Sequence, residues 1–121
     1  LAVAVVQRVK PNGAISYEAT SRFDSSLGKL VPAPIDLSQP NDQVFLVLYA
    51  TGVKNRSSLS GVSAKLGGTD AQVLFAGAAP EFVGLDQINV RLLQTLAGRG
   101  MVNIVVTVDG QTANTVTISI K

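Results

Sequence analysis

The stretch "DQINVRL", residues 86–92, alternates polar and apolar side chains without a break. In an extended chain, alternate side chains point to opposite faces, so this pattern predicts a strand with one buried face and one exposed face. We expect the apolar face to meet a core and the polar face to meet solvent. The inward set is Ile88, Val90 and Leu92, and the outward set is Gln87, Asn89 and Arg91.

The same strand pattern recurs along the chain at close spacing. "GVSAKLGG", "MVNIVVTVDG" and "TVTISIK" alternate in the same way, whereas "QVFLVLYATG" is apolar throughout and predicts a strand buried on both faces. Turn residues separate these segments, notably Gly67-Gly68 and Asp109-Gly110. The pattern predicts about eight or nine strands in an all-β fold, an antiparallel β-sandwich of the immunoglobulin type.

The first third of the chain predicts a separate substructure within this single domain, 1–121. "LAVAVVQRVKPNGAISYEATSRF" predicts a β-hairpin that turns at Pro11-Asn12-Gly13, and its first strand is apolar on both faces, so it is central or covered by a partner. Prolines at 32, 34 and 40 exclude a helix or a central strand there. We therefore expect an N-terminal hairpin arm and extended edge segment at 1–38 and the main sandwich at 39–121. "LLQTLAGRG" is too short for more than a single helical turn.

Composition excludes several classes of function. The chain of 121 residues has 46% hydrophobic and 15% charged residues, which argues for a folded domain with a real core. It contains no His and no Cys, which excludes disulfides, thiolate or imidazole metal ligands and a Ser-His-Asp triad. The net charge of +2 is dispersed, so no nucleic-acid partner is expected. The first apolar run is too short to span a membrane, and no membrane insertion or signal peptide is predicted.

Carboxylates and hydroxyls give no pattern typical of a metal site or a catalytic site. The aspartates are scattered and none forms a calcium-loop motif, so we expect no metal and no cofactor. The glutamates are Glu18 and Glu81, and nothing in the sequence places them together as an acid–base pair. A serine-rich segment, 57–60, has only Lys54 as a nearby base. We therefore expect that the protein is not an enzyme.

The segment "GAAPEFVGL" before the alternating strand permits two interpretations. In the first it is a corner: Gly77 to Pro80 turns the chain, Phe82 folds back on the sandwich, and Gly84 takes an unusual backbone angle. Asp86 or Gln87 would then bind loop amides. In the second interpretation the segment is a ligand loop. We favour the corner, because glycines and short polar side chains have a ready role in turns. The candidate ligand-contacting or interface residues are Phe82, Asp86, Gln87, Asn89 and Arg91.

The outward polar side chains also permit two interpretations. Gln87, Asn89 and Arg91 could bind sugar hydroxyls, beside a second polar set on the last two strands. However, carbohydrate platforms usually present an aromatic ring, and the sequence places none beside this stretch. A solvated sheet face is therefore the preferred interpretation. The second polar set is Asn103, Thr107, Thr115, Thr117 and Ser119.

Several segments together resemble a known group of domains. "GTDAQVLFAG", "FVGLDQINVRL", "LAGRG" and "VVTVDGQTANTVTISI" resemble a family of uncharacterised C-terminal domains in large secreted proteins of acidobacteria. The glycine turn and the last hairpin are also similar to IPT/TIG immunoglobulin-like domains. The first resemblance implies an extracellular or cell-envelope location and contacts with other domains of a parent protein. It also implies that this chain is the C-terminal part of a longer module, and it supplies no catalytic residues.

These observations predict a non-catalytic structural or protein-interaction module at the C-terminus of a secreted or cell-envelope protein. The apolar excess in "LAVAVV" and "VFLVLY" reflects either a doubly buried strand or an interface, including a homo-oligomer paired through the edge of the opening strand. The alternative is a binding module for glycans or another surface polymer. That alternative requires a groove with an exposed aromatic residue, for which Tyr17, Tyr49 or Phe82 would have to serve.

Overall fold

The structure is a computed structural model, and it describes residues 4–50, 61–80, 82, 84–112 and 115–121. The described residues form strands and one short 3-10 helix, Gln94–Leu96. The strands are β1 (Ala4–Val9), β2 (Ile15–Ala19), β3 (Ser21–Asp24), β4 (Lys29–Pro32), β5 (Gln43–Ala50), β6 (Val62–Leu66), β7 (Thr69–Ala71), β8 (Val73–Ala78), β9 (Asp86–Leu92), β10 (Gly100–Val108), β11 (Gln111–Thr112) and β12 (Val116–Ile120).

The strands form two main antiparallel sheets and a small hairpin. The first sheet has the order β2-β1-β5-β9-β8. The second has the order β11-β10-β6-β7, and β12 also pairs with β10. Strands β3 and β4 form a separate two-stranded sheet.

This topology confirms the predicted immunoglobulin-like β-sandwich. The order β1-β5-β9-β8 corresponds to the A-B-E-D sheet of that fold, and β6-β10-β12 corresponds to its C-F-G sheet. The structure has twelve strands, against the eight or nine expected. The excess comes from short elements such as β11 and the β3–β4 hairpin, which carry too few residues for a clear alternation.

The core lies between the two sheets and is built from the inward side chains of both. Val44, Leu46 and Val90 from the first sheet are completely buried, as is Ile104 from the second. Strand β9 shows strict alternation, with its buried positions on one face. The predicted inward residues Ile88, Val90 and Leu92 are therefore confirmed, as is the inward face of β6.

The N-terminal hairpin is part of the first sheet, with β1 within the sheet and β2 at its edge. Strand β1 pairs with β2 on one side and with β5 on the other, which confirms that it is central. The expectation that the opening strand supplies a free edge is wrong for its described residues, because both of its edges are paired. Among the described residues, this sheet ends at β2 on one side and at β8 on the other.

The segment between the hairpins and β5 crosses from one sheet to the other. Ile35 forms a parallel bridge with Ile120 at the edge of β12, and its backbone N–H bonds the Ser119 oxygen at 2.8 Å. The chain then turns, with the Asp42 N–H bonding the Gln39 oxygen at 3.3 Å. The extended segment and the turn at 39–42 are as predicted, and the segment holds the two sheets together at this end.

Candidate functional site

Aromatic side chains concentrate on the outer face of the first sheet. The chain has six aromatic residues, two Tyr and four Phe. Those on the strands of this sheet alternate with inward residues and so point away from the core, and the remaining member comes from the β8–β9 connection. The set is Tyr17, Phe45, Tyr49, Phe75 and Phe82. Only Phe23, on the β3–β4 hairpin, lies elsewhere.

Three of these rings border a groove of about 430 Å³ that runs across the strands. It is open to solvent along its length and is bounded at one end by Pro80 and Phe82. Because neighbouring strands lie about 4.8 Å apart, a groove that extends from β2 to β9 measures about 14 Å across the strands. The described lining residues are Val5, Gln7, Tyr17, Val47, Tyr49, Pro80, Phe82, Gln87 and Asn89.

Strand register brings these side chains together from distant parts of the sequence. Tyr17 lies opposite Gln7, and Tyr49 lies opposite Gln87. Val47 is paired with Asn89 in the same way. Directly opposite residues in an antiparallel pair have their Cβ atoms about 5 Å apart on one face, so each pair forms a single patch. An aromatic ring therefore sits beside an amide at two places in the groove.

Contacts within the groove orient its polar groups. The rings of Tyr49 and Phe82 meet edge to face, with centroids 5.2 Å apart and an interplanar angle of 85°. Gln87 Nε2 donates to Asn89 Oδ1 at 2.9 Å. Gln7 Nε2 lies 3.4 Å from the hydroxyl oxygen of Tyr17. The side-chain carbonyl of Gln87 and the side-chain N–H groups of Asn89 have no hydrogen-bond partner among the described residues. They are therefore available to a ligand.

The described lining is uncharged. It combines apolar rings and aliphatic side chains with three amides and two phenol hydroxyls. Amides and hydroxyls both donate and accept hydrogen bonds, and the faces of aromatic rings carry partial negative charge that attracts polarised C–H groups. This chemistry suits a neutral ligand that presents hydroxyl groups at its edges and C–H groups on its faces.

An ion cluster on the opposite side of β1 holds this edge of the sheet in place. Arg8 is only 6% exposed, although its side chain is charged. Its Nε lies 2.6 Å from Glu18 Oε2 on β2, and its Nη1 lies 3.3 Å from Asp42 Oδ2. Its Nη2 donates to the backbone oxygen of Asp36 at 2.7 Å. Lys10 Nζ approaches the same Asp42 oxygen at 3.5 Å.

Sequence reasoning missed this cluster. The hydrogen bond to Glu18 raises the pKa of Arg8 above its usual value, and the bond to Asp42 acts in the same direction against the desolvation of burial. One guanidinium therefore joins β1, β2 and the crossing segment, and it fixes β2, which carries Tyr17. The available signal was that alternation places the charged Arg8 on the same face of β1 as Ala4 and Val6, where a buried charge needs a partner.

The structure brings together some of the predicted site residues and separates others. Phe82, Gln87 and Asn89 line the groove. Asp86 is 3% exposed and shares the inward face of β9, so it does not line the groove. Arg91 points outward on β9 but lies beyond the groove, opposite Phe45.

The β8–β9 connection turns the chain as expected, with shifted bounds, and the alternative interpretation as a ligand loop stays a prediction. Strand β8 continues to Ala78, so the turn starts later than expected and closes with the Ala79 N–H bonding the Leu85 oxygen at 3.0 Å. Gly84 adopts φ +84°, a conformation that side chains disfavour. Gln87 donates to Asn89, and the expectation that Asp86 or Gln87 binds a loop amide stays a prediction.

Two statements about the polar stripe are wrong. Aromatic rings do lie beside Gln87 and Asn89, because β5 and the corner deliver them from elsewhere in the chain. The second polar set lies on the other sheet, where its described members on β10 and β12 belong to a different surface. The alternating sequence pattern predicts the two faces of each strand, but it does not predict which strands lie side by side in a sheet.

Some predicted features lie outside the described residues. These are Lys54 with the serines of 57–60, and Glu81. Within the described part of the chain, no group of three or more carboxylate side chains converges to hold a metal ion. No helix found there is long and apolar enough to cross a membrane.

Comparison with known proteins gives no further information. No family model matches the chain, and neither the curated proteins nor the solved structures include a match. The resemblance to acidobacterial C-terminal domains therefore stays a prediction from the sequence.

Proposed function

We propose that this domain is a non-catalytic binding module for an uncharged glycan or a similar hydroxyl-rich surface polymer. The observation that carries the proposal is the groove on the first sheet, where Tyr17, Tyr49 and Phe82 lie beside the amides of Gln7, Gln87 and Asn89. An exposed aromatic in a groove is the feature that this function requires.

The arrangement matches a sugar ring, which has C–H groups on its faces and hydroxyl groups at its edge. Tyr17 is 65% exposed and Phe82 is 46% exposed, so both rings offer open faces to C–H groups. The amide side chains between them offer paired donors and acceptors to hydroxyl groups. Gln87 and Asn89 are already hydrogen-bonded to each other, so little side-chain freedom is lost when a ligand binds.

The open shape of the groove suits part of a polymer. An enclosed pocket excludes water from a whole small molecule, whereas a groove that is open along its length lets one segment of a longer chain lie in it. Placement at the C-terminus of a secreted or cell-envelope protein belongs to the same proposal, and it rests on the sequence resemblance.

The test is isothermal titration calorimetry of the 121-residue chain with soluble neutral polysaccharides, namely β-glucan, xylan and galactomannan, with polygalacturonate as a charged comparison. We expect at least one neutral polymer to bind and the charged polymer to bind less well. Tyr17→Ala removes an exposed ring and is expected to weaken binding at least tenfold, or about 1.4 kcal/mol. Met101→Ala, on the outer face of the second sheet and 57% exposed, is the matched control. Absence of binding to every neutral polymer would reject the proposal.

A second candidate function is a protein-interaction module, and a different surface favours it. On the β3–β4 hairpin, Phe23 and Leu30 are directly paired and are 63% and 58% exposed. Leu27, in the turn between these strands, is 60% exposed. Three large apolar side chains on one small hairpin are typical of a contact surface. A Phe23→Ser, Leu30→Ser double variant would leave glycan binding intact and reduce any association of the domain with protein partners.

A further inference from the structure

We infer that the free edge of β2 pairs with β2 of a second copy of this chain, so that two first sheets join into one continuous sheet. This inference concerns the backbone edge of β2 and does not depend on the ligand of the groove. It corrects the earlier expectation of pairing through the opening strand.

The sheet edges formed by β7, β8 and β12 have features that oppose pairing with another strand. Strand β8 contains a register irregularity between Val73 and Phe75. Strand β7 has only three residues, one of them the exposed Asp70. Strand β12 is partly covered by Ile35. Bulges, short charged strands and covering segments are the usual protections of an edge.

Among the described residues, no strand pairs with the outer edge of β2, and β2 is neither bulged nor as short as β7. It has five residues in continuous register with β1, and it contains no Pro, no Lys and no bulge. Its charged residue, Glu18, is held by Arg8 on the inner side of the sheet. Its exposed apolar side chains include Ile15, at 56%.

The backbone groups of β2 are arranged for self-pairing. The Lys10 N–H bonds the Ala14 oxygen at 2.9 Å, so the alternation of an antiparallel ladder directs the groups of Ser16 and Glu18 toward β1. The N–H and C=O groups of Ile15, Tyr17 and Ala19 then point to the free edge. A two-fold axis at Tyr17 pairs it with its own copy and pairs Ile15 with Ala19, giving about six hydrogen bonds.

Charge does not oppose this pairing. In the same register Glu18 lies opposite Ser16 of the second copy, so no like charges meet directly. Side chains of Ile15, Tyr17 and Ala19 lie on the groove face, and the two-fold axis therefore places both grooves on one surface. Two grooves on one surface would bind a repetitive polymer with higher avidity than either alone.

The expected dimer is weak. A pair of five-residue strands buries less area than a standard stable interface, so we expect a Kd of about 100 µM. Analytical ultracentrifugation of the chain across this concentration range should show reversible monomer–dimer exchange. A chain that stays monomeric well above this concentration would overturn the inference.

Amide hydrogen exchange by NMR tests the pairing itself. We expect the Ile15, Tyr17 and Ala19 amides to exchange fast in dilute protein and to become protected as concentration rises. The Ser16 and Glu18 amides, bonded to β1, should be protected at all concentrations and serve as the internal control. Protection that appears on β7 or β8 instead would place the interface elsewhere and contradict the inference.

Two substitutions at one position complete the test. Ile15→Pro removes an outward N–H and Ile15→Lys adds a charge to the edge, and each should weaken the dimer at least tenfold. Ile15→Val keeps the N–H and the apolar character and should dimerise like the parent chain. Ile15→Lys retains the backbone of β2 if the proline variant fails to fold. A dimer unaffected by Ile15→Lys would show that this edge is not the interface.

Discussion

The outer faces of the two sheets have the same alternating pattern but different chemistry. On the first sheet, Tyr17, Tyr49 and Gln87 form part of a groove that also includes Phe82 from a connection. On the second sheet, the outward residues of β6 are Ser63 and Lys65, and those of β10 include Met101, Asn103 and Thr107. No aromatic residue lies on the described strands of that sheet.

The comparison shows that exposure of a sheet face does not determine its role. Both faces are outward by the same period-2 rule, and both carry amide side chains. On the first sheet the neighbouring strands add rings to Gln87 and Asn89, whereas on the second Asn103 is paired with Thr117. We therefore expect a binding site where register places rings beside amides, and substitutions matched across the two sheets test this difference.

The largest expected effect comes from the ion cluster of the first sheet. Arg8→Met keeps the aliphatic stem but leaves the buried carboxylate of Asp42 without its main partner. We expect a loss of about 2 kcal/mol in the free energy of unfolding, lower than for a fully buried pair because Glu18 is partly exposed and Lys10 stays near Asp42. Urea denaturation followed by circular dichroism measures this loss.

Lys65→Met is the matched substitution on the second sheet. Lys65 Nζ lies 3.8 Å from Asp70 Oδ1, and both side chains are largely exposed. Such a pair contributes about 0.5 kcal/mol or less, so this variant should unfold close to the parent chain. Equal losses for Arg8→Met and Lys65→Met would show that the buried cluster does not hold the first sheet.

The next largest effect is expected when one amide side chain is removed from the outer face of a sheet. Gln87→Ala removes the donor to Asn89 and the free carbonyl of the groove, and it should weaken binding of the neutral polysaccharide about tenfold, or about 1.4 kcal/mol. Asn103→Ala, on the second sheet, should leave binding unchanged. Calorimetric titration measures both affinities, and unfolding of both variants should stay within about 0.5 kcal/mol of the parent. A similar loss of affinity in both variants would contradict the assignment of the groove.

The smallest effect is a pH dependence at the crossing segment beside the first sheet. The hydrogen bond from Ser38 lowers the pKa of Asp36 below its usual value, and nearby Lys121 and Arg8 add to this effect. A carboxyl with a lowered folded-state pKa adds stability above its unfolded pKa, about 3.9, and this stability is lost as the pH falls through the lower, folded value.

Asp36→Asn should therefore be less stable than the parent chain near pH 6, and the difference should vanish well below pH 4. Asp70→Asn, an exposed side chain on the second sheet, serves as the control and should differ little from the parent at either pH. Thermal unfolding at the two pH values measures the effect. A deficit of Asp36→Asn that persists in strong acid would exclude the carboxylate as its cause.

Much of the fold could be predicted from local patterns, and part of the site could not. Phe82, Gln87 and Asn89 were recognised as candidates because they stand close together in the sequence. Tyr17 and Tyr49 entered only as rings that a glycan site would need, since 31 intervening residues separate them. Arg8 was missed because its partners Glu18 and Asp42 are brought to it by cross-strand pairing and by the crossing segment.

The amino-acid sequence by itself determined the inward and outward faces of the long strands, the hairpin turns and the β-sandwich class. These features follow from alternation and turn chemistry, which act between residues close in the chain. Only the tertiary structure decided which strands are neighbours, and hence that five of the six aromatic rings share one face and that β2 lies at an edge of its sheet. The physical reason is that register depends on the packing of both sheets against a common core, to which every strand contributes.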